Sequence, residues 1–390
     1  MNQWPTSPLR DLTAKIGSGA TPRGGATVYT ESGVSLIRSQ NVLDNSMKTA
    51  EIAHITDEAA HALRGVTVQE NDVLINITGD SIARTSIVDP LVLPARVNQH
   101  VAIIRANSLV SASYLQRFLV NPEQKARLIA GSDGGTRNAL TKTTLEEIQV
   151  TVPPMQVQLG IAEVLGALDH KIAMNVEVAQ TIESLTHAIY TRGLAGYEMA
   201  PLSTTADFVN GKAFTKGASG TGRVVVRIAE LNSGLGGSTV YSDAEVEEKH
   251  VAHPGDILFA WSGSLTLSRW YRKDAIVNQH IFKVIPKAGY PSWLVYQLIR
   301  AKLADFKSIA ADKATTMGHI QRHHLDESVA TPPSEEIVRM DAVMRPLWQR
   351  GLVAEQESLK LMELRDTLLP ELMSGRLRVK DAEKQIEEVV

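Results

Sequence analysis

The chain has 390 residues, 43% of them hydrophobic and 21% charged, with a formal net charge of −3 and a pI near 6.4. That length points to two or three domains rather than one core, the composition matches no signature of disorder, and the lack of cysteine excludes a disulfide framework, thiol catalysis and cysteine-ligated zinc or iron–sulfur sites. A balance this close to neutral excludes nucleic-acid binding by bulk charge, which usually goes with a pI above about 9, so DNA contact would need local basic patches or partner proteins.

The opening MNQWPTSPLRDL lacks the basic-then-apolar run of a signal peptide, and no apolar stretch approaches the ~20 residues that cross a bilayer, so a cytoplasmic protein is expected. Short β-rich runs follow: SLIR (35–38), DVLINIT (72–78) and VAIIR (101–105), separated by Gly, Asn, Asp and Ser turns, predict strands. Ser113 is expected to open a helix carrying Tyr114, Leu115, Phe118 and Leu119 on one face. After Val152-Pro153-Pro154 the period becomes helical, since proline suits a helix start. There Ile161, Leu165, Leu168, Ile172, Ala179, Ile182 and Ile189 step by threes and fours, a coiled-coil seam with Asn175 as a polar position.

The same order then returns. Pro8-Leu9 is answered by Pro201-Leu202, and Asn71-Asp72-Val73-Leu74-Ile75 with Gly79 by Gly255-Asp256-Ile257-Leu258-Phe259 with Gly263. Val97-Asn98-Gln99-His100-Val101 is answered by Val277-Asn278-Gln279-His280-Ile281. Val152-Pro153-Pro154 reappears as Thr331-Pro332-Pro333, and Ala195-Gly196 as Ser374-Gly375. Trp293, Leu294, Leu298 and Phe306 repeat the first helix. Met340, Met344, Leu347, Ala354, Leu361 and Leu368 form a poorer second seam, whose first turns Pro346 and Gly351 should bend or break. Each stripe is either an amphipathic face on its own domain or half of an antiparallel pair, and the duplication favours pairing.

The expected fold is therefore α+β: two tandem mixed α/β domains, 1–154 and 197–333, a central helix at 155–196, a distal helix at 334–376 and a C-terminal tail at 377–390. The long helices are expected to form an antiparallel coiled coil, giving a pseudo-two-fold internal repeat. The helical segments are acidic, with 2 Lys+Arg against 5 Asp+Glu over 154–200 and 9 against 12 over 334–390, whereas 201–333 holds 15 against 12. That distribution suits nucleic acid at the domains and protein partners at the helices.

Catalytic motifs do not emerge. Gly17-Ser18-Gly19 runs into Ala20-Thr21-Pro22, neither a phosphate loop nor a dinucleotide fingerprint, and Pro153-Pro154 lacks the flanks of an amino-group methyltransferase signature. Glu123/Lys125 and Glu247/Lys249 have no preceding Pro-Asp and read as solvated charge. His319, His323 and His324 lack the HExxH pattern; metal ligation, phosphate contact and plain structural positions stay open, the last favoured. The Asn-Gln-His turns are expected to tie loop to sheet through side-chain-to-backbone hydrogen bonds.

A segment with Pro8-Leu9-x-x-Leu12, Gly17-x-Gly19-x-Thr21-Pro22, the Asn-Asp-Val-Leu-Ile strand, the Val-Asn-Gln-His turn, and Val-Pro-Pro leading into Gln156, Gln158, Ile161 and a long helix ending near Gly196, all largely repeated, resembles the specificity subunit of type I restriction–modification systems. The resemblance covers roughly residues 8 to 376. Departures lie in the second copy, where Gly211-Lys212-Ala213 answers Gly17-x-Gly19 and Pro332-Pro333 is followed by Ser334-Glu335-Glu336 and then Pro346, so a shorter or kinked distal helix is expected.

The resemblance implies a non-catalytic reader whose two target recognition domains each read half of a split, asymmetric DNA sequence. It implies as partners two adenine-N6 methyltransferase subunits and two translocase–nuclease subunits, with S-adenosylmethionine, ATP and magnesium bound there and not by this chain. A helix over 156–190 would be ~52 Å long, against ~34–36 Å for one turn of B-DNA, and would act as a ruler between half-sites. Base readout favours Arg for guanine and Asn or Gln for adenine. The candidates are Arg38, Gln40, Arg84, Arg137 and Asn138 in the first domain, the last two beside Gly134-Gly135, and Arg227, Arg269, Lys313 and His319 in the second. No catalytic residue or metal ligand is assigned. The competing reading is a duplicated-domain interaction scaffold that does not bind DNA.

Overall fold

A computed structural model describes residues 4–132, 139–312 and 318–388. The chain divides into two compact units, Met1–His170 with Leu361–Val390, and Lys171–Lys360. The class is mixed α/β, as expected.

In the first unit the alternating runs form a four-stranded antiparallel sheet in the order Thr13–Ser18, Val101–Ala106, Val73–Asn76, Thr85–Ile87. A second sheet runs Tyr29–Thr30, Ala53–Ile55, Val34–Ile37, Ala95–Val97, and its last pair is parallel, with Ile37 opposite Val97. Ile37, Leu74, Val97, Val101 and Ile103 from both sheets meet in one buried cluster. Each such side chain contributes roughly 1.5–3 kcal/mol on leaving water, enough to fix which face of each strand points inward. A short antiparallel pair, Thr6–Pro8 with Gln149–Thr151, joins the beginning of the domain to its end.

The second unit repeats this plan. Its antiparallel sheet runs Ala206–Asn210, Ile281–Pro286, Ile257–Ala260, Leu267–Arg269. Its other sheet runs Val240–Ser242, Arg223–Val226, Ala275–Val277, Val251–Ala252; the parallel pair recurs, but here it lies inside the sheet because Val251–Ala252 adds beyond it. Glu198–Pro201 pairs with Ser328–Thr331 as the closing strap. Even the buried charge is duplicated: Asp72 holds Arg105 and accepts from the Gln69 N–H at 2.7 Å, while Asp256 holds Lys283 and accepts from the His253 N–H at 2.8 Å.

The repeat corrects the expected glycine alignment. Gly211 is the counterpart of Gly19, not of Gly17. A Cβ on Gly19 would lie 2.1 Å from the Val97 carbonyl oxygen and 2.3 Å from that of Asn98. On Gly211 it would lie 2.1 Å from the Asn278 oxygen and 2.3 Å from that of Val277, whereas Gly17 has open space. Only glycine allows that backbone approach.

The helix expected to open at Ser113 spans Ala112–Val120, with the Ser111 hydroxyl accepting from the Tyr114 N–H, and a second helix, Pro122–Ala130, follows. Its counterpart is one helix, Ser292–Asp312. The central helix spans Met155–Arg192. The distal helix, Ser334–Met373, runs unbroken past Pro346 and Gly351, so the expected shortening does not occur. Arg269 bears directly on those turns: a Cβ on Gly351 would stand 2.9 Å from its Nη2, and its Nη1 donates to the Trp348 carbonyl at 2.8 Å. The segment read as a tail contains a further helix, Val379–Glu387, with Ala382 buried and Val379 against Gly160.

The long helices pack on each other, antiparallel within each unit. In the first, Ile161, Leu165, Leu168, Leu361 and Leu368 are buried, and Arg365 Nη1 donates to Asp169 at 2.8 Å while Arg117 binds the other oxygen of that carboxylate. In the second, Ile172, Asn175 and Met344 are buried, Ile182, Ile189 and Leu347 half-buried, and Lys171 pairs with Glu357 at 3.3 Å. Ile189 and Tyr190 near the end of the central helix pack with Ile337, Met340 and Met344 at the start of the distal one. Burial raises the Tyr190 hydroxyl to about 12; it remains a donor, to the Ala330 carbonyl at 2.6 Å.

Candidate nucleic-acid interface

In each unit three loops converge where the parallel strand pair ends. In the first these are the turn after Ile37, the Asn76–Arg84 hairpin loop and the Asn98–His100 turn. Asn98 N–H donates to the Ile37 carbonyl at 2.9 Å, and the buried Asn76 donates from Nδ2 to the carbonyls of Ser39 at 2.9 Å and Val42 at 3.3 Å, and to Ser81 Oγ at 3.1 Å. The turn that carries Arg38 and Gln40 is thereby tied to the hairpin loop that carries Arg84. Arg84 and Gln40 are exposed; Arg38 is half-buried, and its Nε has no hydrogen-bond partner among the described residues.

The Asn-Gln-His turns make the expected side-chain-to-backbone hydrogen bonds, but within the turn in the first copy and to a neighbouring loop, not to the sheet, in the second. Asn98 Oδ1 accepts from the His100 N–H at 3.1 Å, and Asn278 Oδ1 from the Phe214 N–H at 3.0 Å. A side-chain relay extends from the first turn: Thr21 Oγ1 donates to Gln99 Oε1 at 2.6 Å, and Gln99 Nε2 to His100 Nε2 at 2.8 Å. His100 must then carry its proton on Nδ1, which donates to Thr78 Oγ1 at 2.7 Å. An open groove of about 870 Å³ lies alongside, lined by Asp44, Thr78, Asp80, Arg84, His100 and Lys125 among others, with Lys125 paired to Asp44. Thr21, Thr78 and His100 were not among the sequence candidates for DNA contact, because no pattern distinguishes a relay from an ordinary polar turn.

In the second unit Arg227 stands where Arg38 stands in the first, after the parallel strand, with the Asn278 N–H donating to the Val226 carbonyl at 3.1 Å. Its guanidinium is committed internally: Nε donates to Glu230 Oε2 at 3.0 Å, and Nη2 to Glu230 Oε1 and the Ser238 carbonyl, each at 2.6 Å. Burial opposes ionisation of Glu230, but the Arg227 and backbone hydrogen bonds outweigh it and hold the carboxyl below its usual range. Arg269 lies apart from these loops. Its Nε and Nη2 donate to Glu355 at 3.0 and 2.8 Å, and the guanidinium sits 4.5 Å from the Trp348 ring centre. Burial raises Glu355, and the contact with Arg269 only partly opposes that.

His319 is exposed, bridges Ser262 and lies 6.3 Å ring to ring from Trp261. His324 Nδ1 accepts from the Gln321 N–H at 2.9 Å, a structural use. Arg137, Asn138 and Lys313 lie outside the described residues. Glu247 is held down to about 2 by Lys249 and Lys212 at the surface, in keeping with solvated charge. No helix among the described residues is long and apolar enough to cross a membrane.

Comparison with known proteins agrees with this architecture. Residues 1–184 match the family model described as type I restriction modification DNA specificity domain. The chain is similar to the HindI type I restriction enzyme specificity subunit of Haemophilus influenzae, 24% identical over 49% of this chain and 40% of that one. It is also similar to the MjaIX specificity subunit of Methanocaldococcus jannaschii, 21% identical over 74% of each. The match thus spans less than half the length of the first of these relatives. In fold it is similar to the type I restriction–modification S subunit of M. genitalium, with a TM-score of 0.60 and 14% identity over 95% of this chain and 96% of that one. Residues 1–184 thus match the model of the type I restriction modification DNA specificity domain, and the chain is similar in sequence to specificity subunits of type I restriction enzymes.

Proposed function

We propose that this chain is the non-catalytic DNA reader of a type I restriction–modification complex. It would recognise a split, asymmetric target and direct adenine-N6 methylation and cleavage by partner subunits. The observation that carries the reading is the duplicated three-loop arrangement: two copies of one scaffold present different side chains, Arg38, Gln40 and Arg84 in one and His319, beside the internally paired Arg227, in the other. Different side chains on a common frame read different half-sites, which makes the target asymmetric.

Arg38 and Arg84 suit guanine and Gln40 suits adenine, each good bidentate pair giving ~1–3 kcal/mol of discrimination. Arg137, Asn138 and Lys313 remain candidates from the sequence, and Arg269 is the weakest, since its donors are satisfied within the protein. Two methyltransferase subunits using S-adenosylmethionine and two ATP- and magnesium-dependent translocase–nuclease subunits would supply the chemistry and much of the basic surface that this near-neutral chain lacks. The test is a genome-wide map of N6-methyladenine in the source cell with and without the gene. Loss of one split motif methylated on both strands is expected; retention of every motif, with an active partner methyltransferase present, would favour a scaffold that does not bind DNA.

A further inference from the structure

Each unit, taken by itself, contains the same junction, which extends beyond the sequence repeat. The Ile77 N–H donates to the His100 carbonyl at 2.9 Å and the Leu140 N–H to the Ile77 carbonyl at 2.9 Å; in the second unit the Trp261 N–H donates to the His280 carbonyl at 3.1 Å and the Ile320 N–H to the Trp261 carbonyl at 3.0 Å. Thr78 bridges Ala139 as Ser262 bridges His319. Ile77 and Trp261 therefore occupy one station of the scaffold, at the edge of the three loops.

At that station the first unit puts a buried aliphatic side chain beside its polar relay, and the second puts a half-buried indole. The Trp261 ring lies 5.1 Å from His280, 5.9 Å from Phe282 and 6.3 Å from His319, centre to centre. Its Nε1 donates to Asn210 Oδ1 at 2.7 Å, so its polar group is engaged and its remaining surface is carbon. His280 is exposed and held at φ 71°, a left-handed conformation uncommon for a non-glycine residue. An exposed loop residue held in that uncommon conformation, its ring tilted by 54° against the indole, is placed for contact at the rim of the proposed reading loops.

The neighbouring rings and the Nε1 hydrogen bond hold the half-buried indole in the fold, so its exposed part is placed to meet a base edge rather than to slide between base pairs. In the major groove the apolar feature of a base edge is the 5-methyl group of thymine. We infer that Trp261, backed by His280, reads a thymine methyl in the half-site bound by the second unit. The two half-sites are then read by different chemistry, hydrogen bonds in the first and apolar contact at this position of the second. The inference rests on the DNA-reader proposal above.

The test uses the full chain assembled with its methyltransferase partners, acting on duplexes that carry the methylated motif. The second half-site is the one whose bases are unchanged when Arg38 is replaced by alanine. Replacing each of its thymines singly by deoxyuridine, which lacks only the methyl, should lower methylation about tenfold at one position with the wild-type chain. Trp261→Ala should abolish that difference and admit cytosine there, while the first half-site stays the same. Equal methylation of every deoxyuridine duplex by the wild-type chain, or a second half-site without thymine, would overturn the inference, and neither result depends on a variant folding. If Trp261→Ala gives no active complex, Trp261→Leu replaces it: reduced discrimination against deoxyuridine supports the contact, and unchanged discrimination overturns it. Failure of the wild-type complex to methylate any split motif would instead refute the DNA-reader proposal.

Discussion

Arg38 and Arg227 end equivalent strands, SLIR and VVVR, and look alike in the sequence, yet their surroundings give them different tasks. Three residues on, the first has Asn41, whose Oδ1 accepts the Arg38 N–H at 3.0 Å, and the second has Glu230, which accepts both the backbone N–H and the guanidinium. Only the turn geometry brings that carboxylate onto the arginine, which is why the sequence could nominate both and separate neither. Replacing Arg227 by alanine leaves a carboxylate that is 2% exposed without its cation, and about 3 kcal/mol of stability should be lost at neutral pH. Because the Glu230 carboxyl is held low in the folded protein, that stabilisation is present above the ordinary carboxylate pKa and disappears as pH falls toward the folded value. Urea unfolding of the two proteins should therefore converge in acid. Arg38→Ala should leave the urea midpoint nearly unchanged and, if the chain is the DNA reader proposed above, relax one position of the first half-site, read as a broader methylated motif.

At the scale of elements, the strands, the double-proline boundaries and the two seams were legible because hydrophobic period and proline are local signals. The continuity of the distal helix was not, since Gly351 reads as a helix breaker until Arg269 is seen lying where its side chain would be. That arginine also restrains Glu355, which burial pushes upward. In Arg269→Met the carboxyl keeps the burial and loses the cation, so the folded protein holds a proton that the unfolded chain releases. Stability of the variant should then fall as pH rises from 5 to 8, and by more than in the wild type, as followed by thermal unfolding across that range. Gly211→Ala places a methyl 2.1 Å from a backbone oxygen that no side-chain rotation can move; a loss of ~3 kcal/mol is expected, whereas Gly17→Ala, facing open space, should be close to neutral. In the central helix Asn175 is buried with Nδ2 unpartnered among the described residues. Asn175→Leu should raise stability by about 1 kcal/mol, because an unsatisfied buried donor is replaced by carbon, and a lower urea midpoint would show that the amide has a partner in solution.

For the whole molecule, the duplication was visible from the sequence because its shared segments keep one order, but the alignment of individual residues drifted wherever loops differ in length. The Asn76–Arg84 hairpin loop is longer than its counterpart around Ser262–Thr266, and Gly19 and Gly211 find their correspondence only through the carbonyls they face. Both long helices run from one unit into the other, the central one with 38 residues and the distal one with 40. If the units read half-sites independently, as the proposal requires, then helix length and base preference are separable properties. Four residues added to the central helix between 170 and 185, and four to the part of the distal helix beyond Glu355, lengthen each by ~6 Å while keeping the seam close to phase. At ~3.4 Å per base pair, the methylated motif should gain about one or two unspecified positions between halves whose bases are unchanged. A changed base in either half would mean that the helices shape the recognition loops themselves; an unchanged spacing would mean that the separation of the half-sites is set elsewhere, and in both cases the helices would not be the ruler.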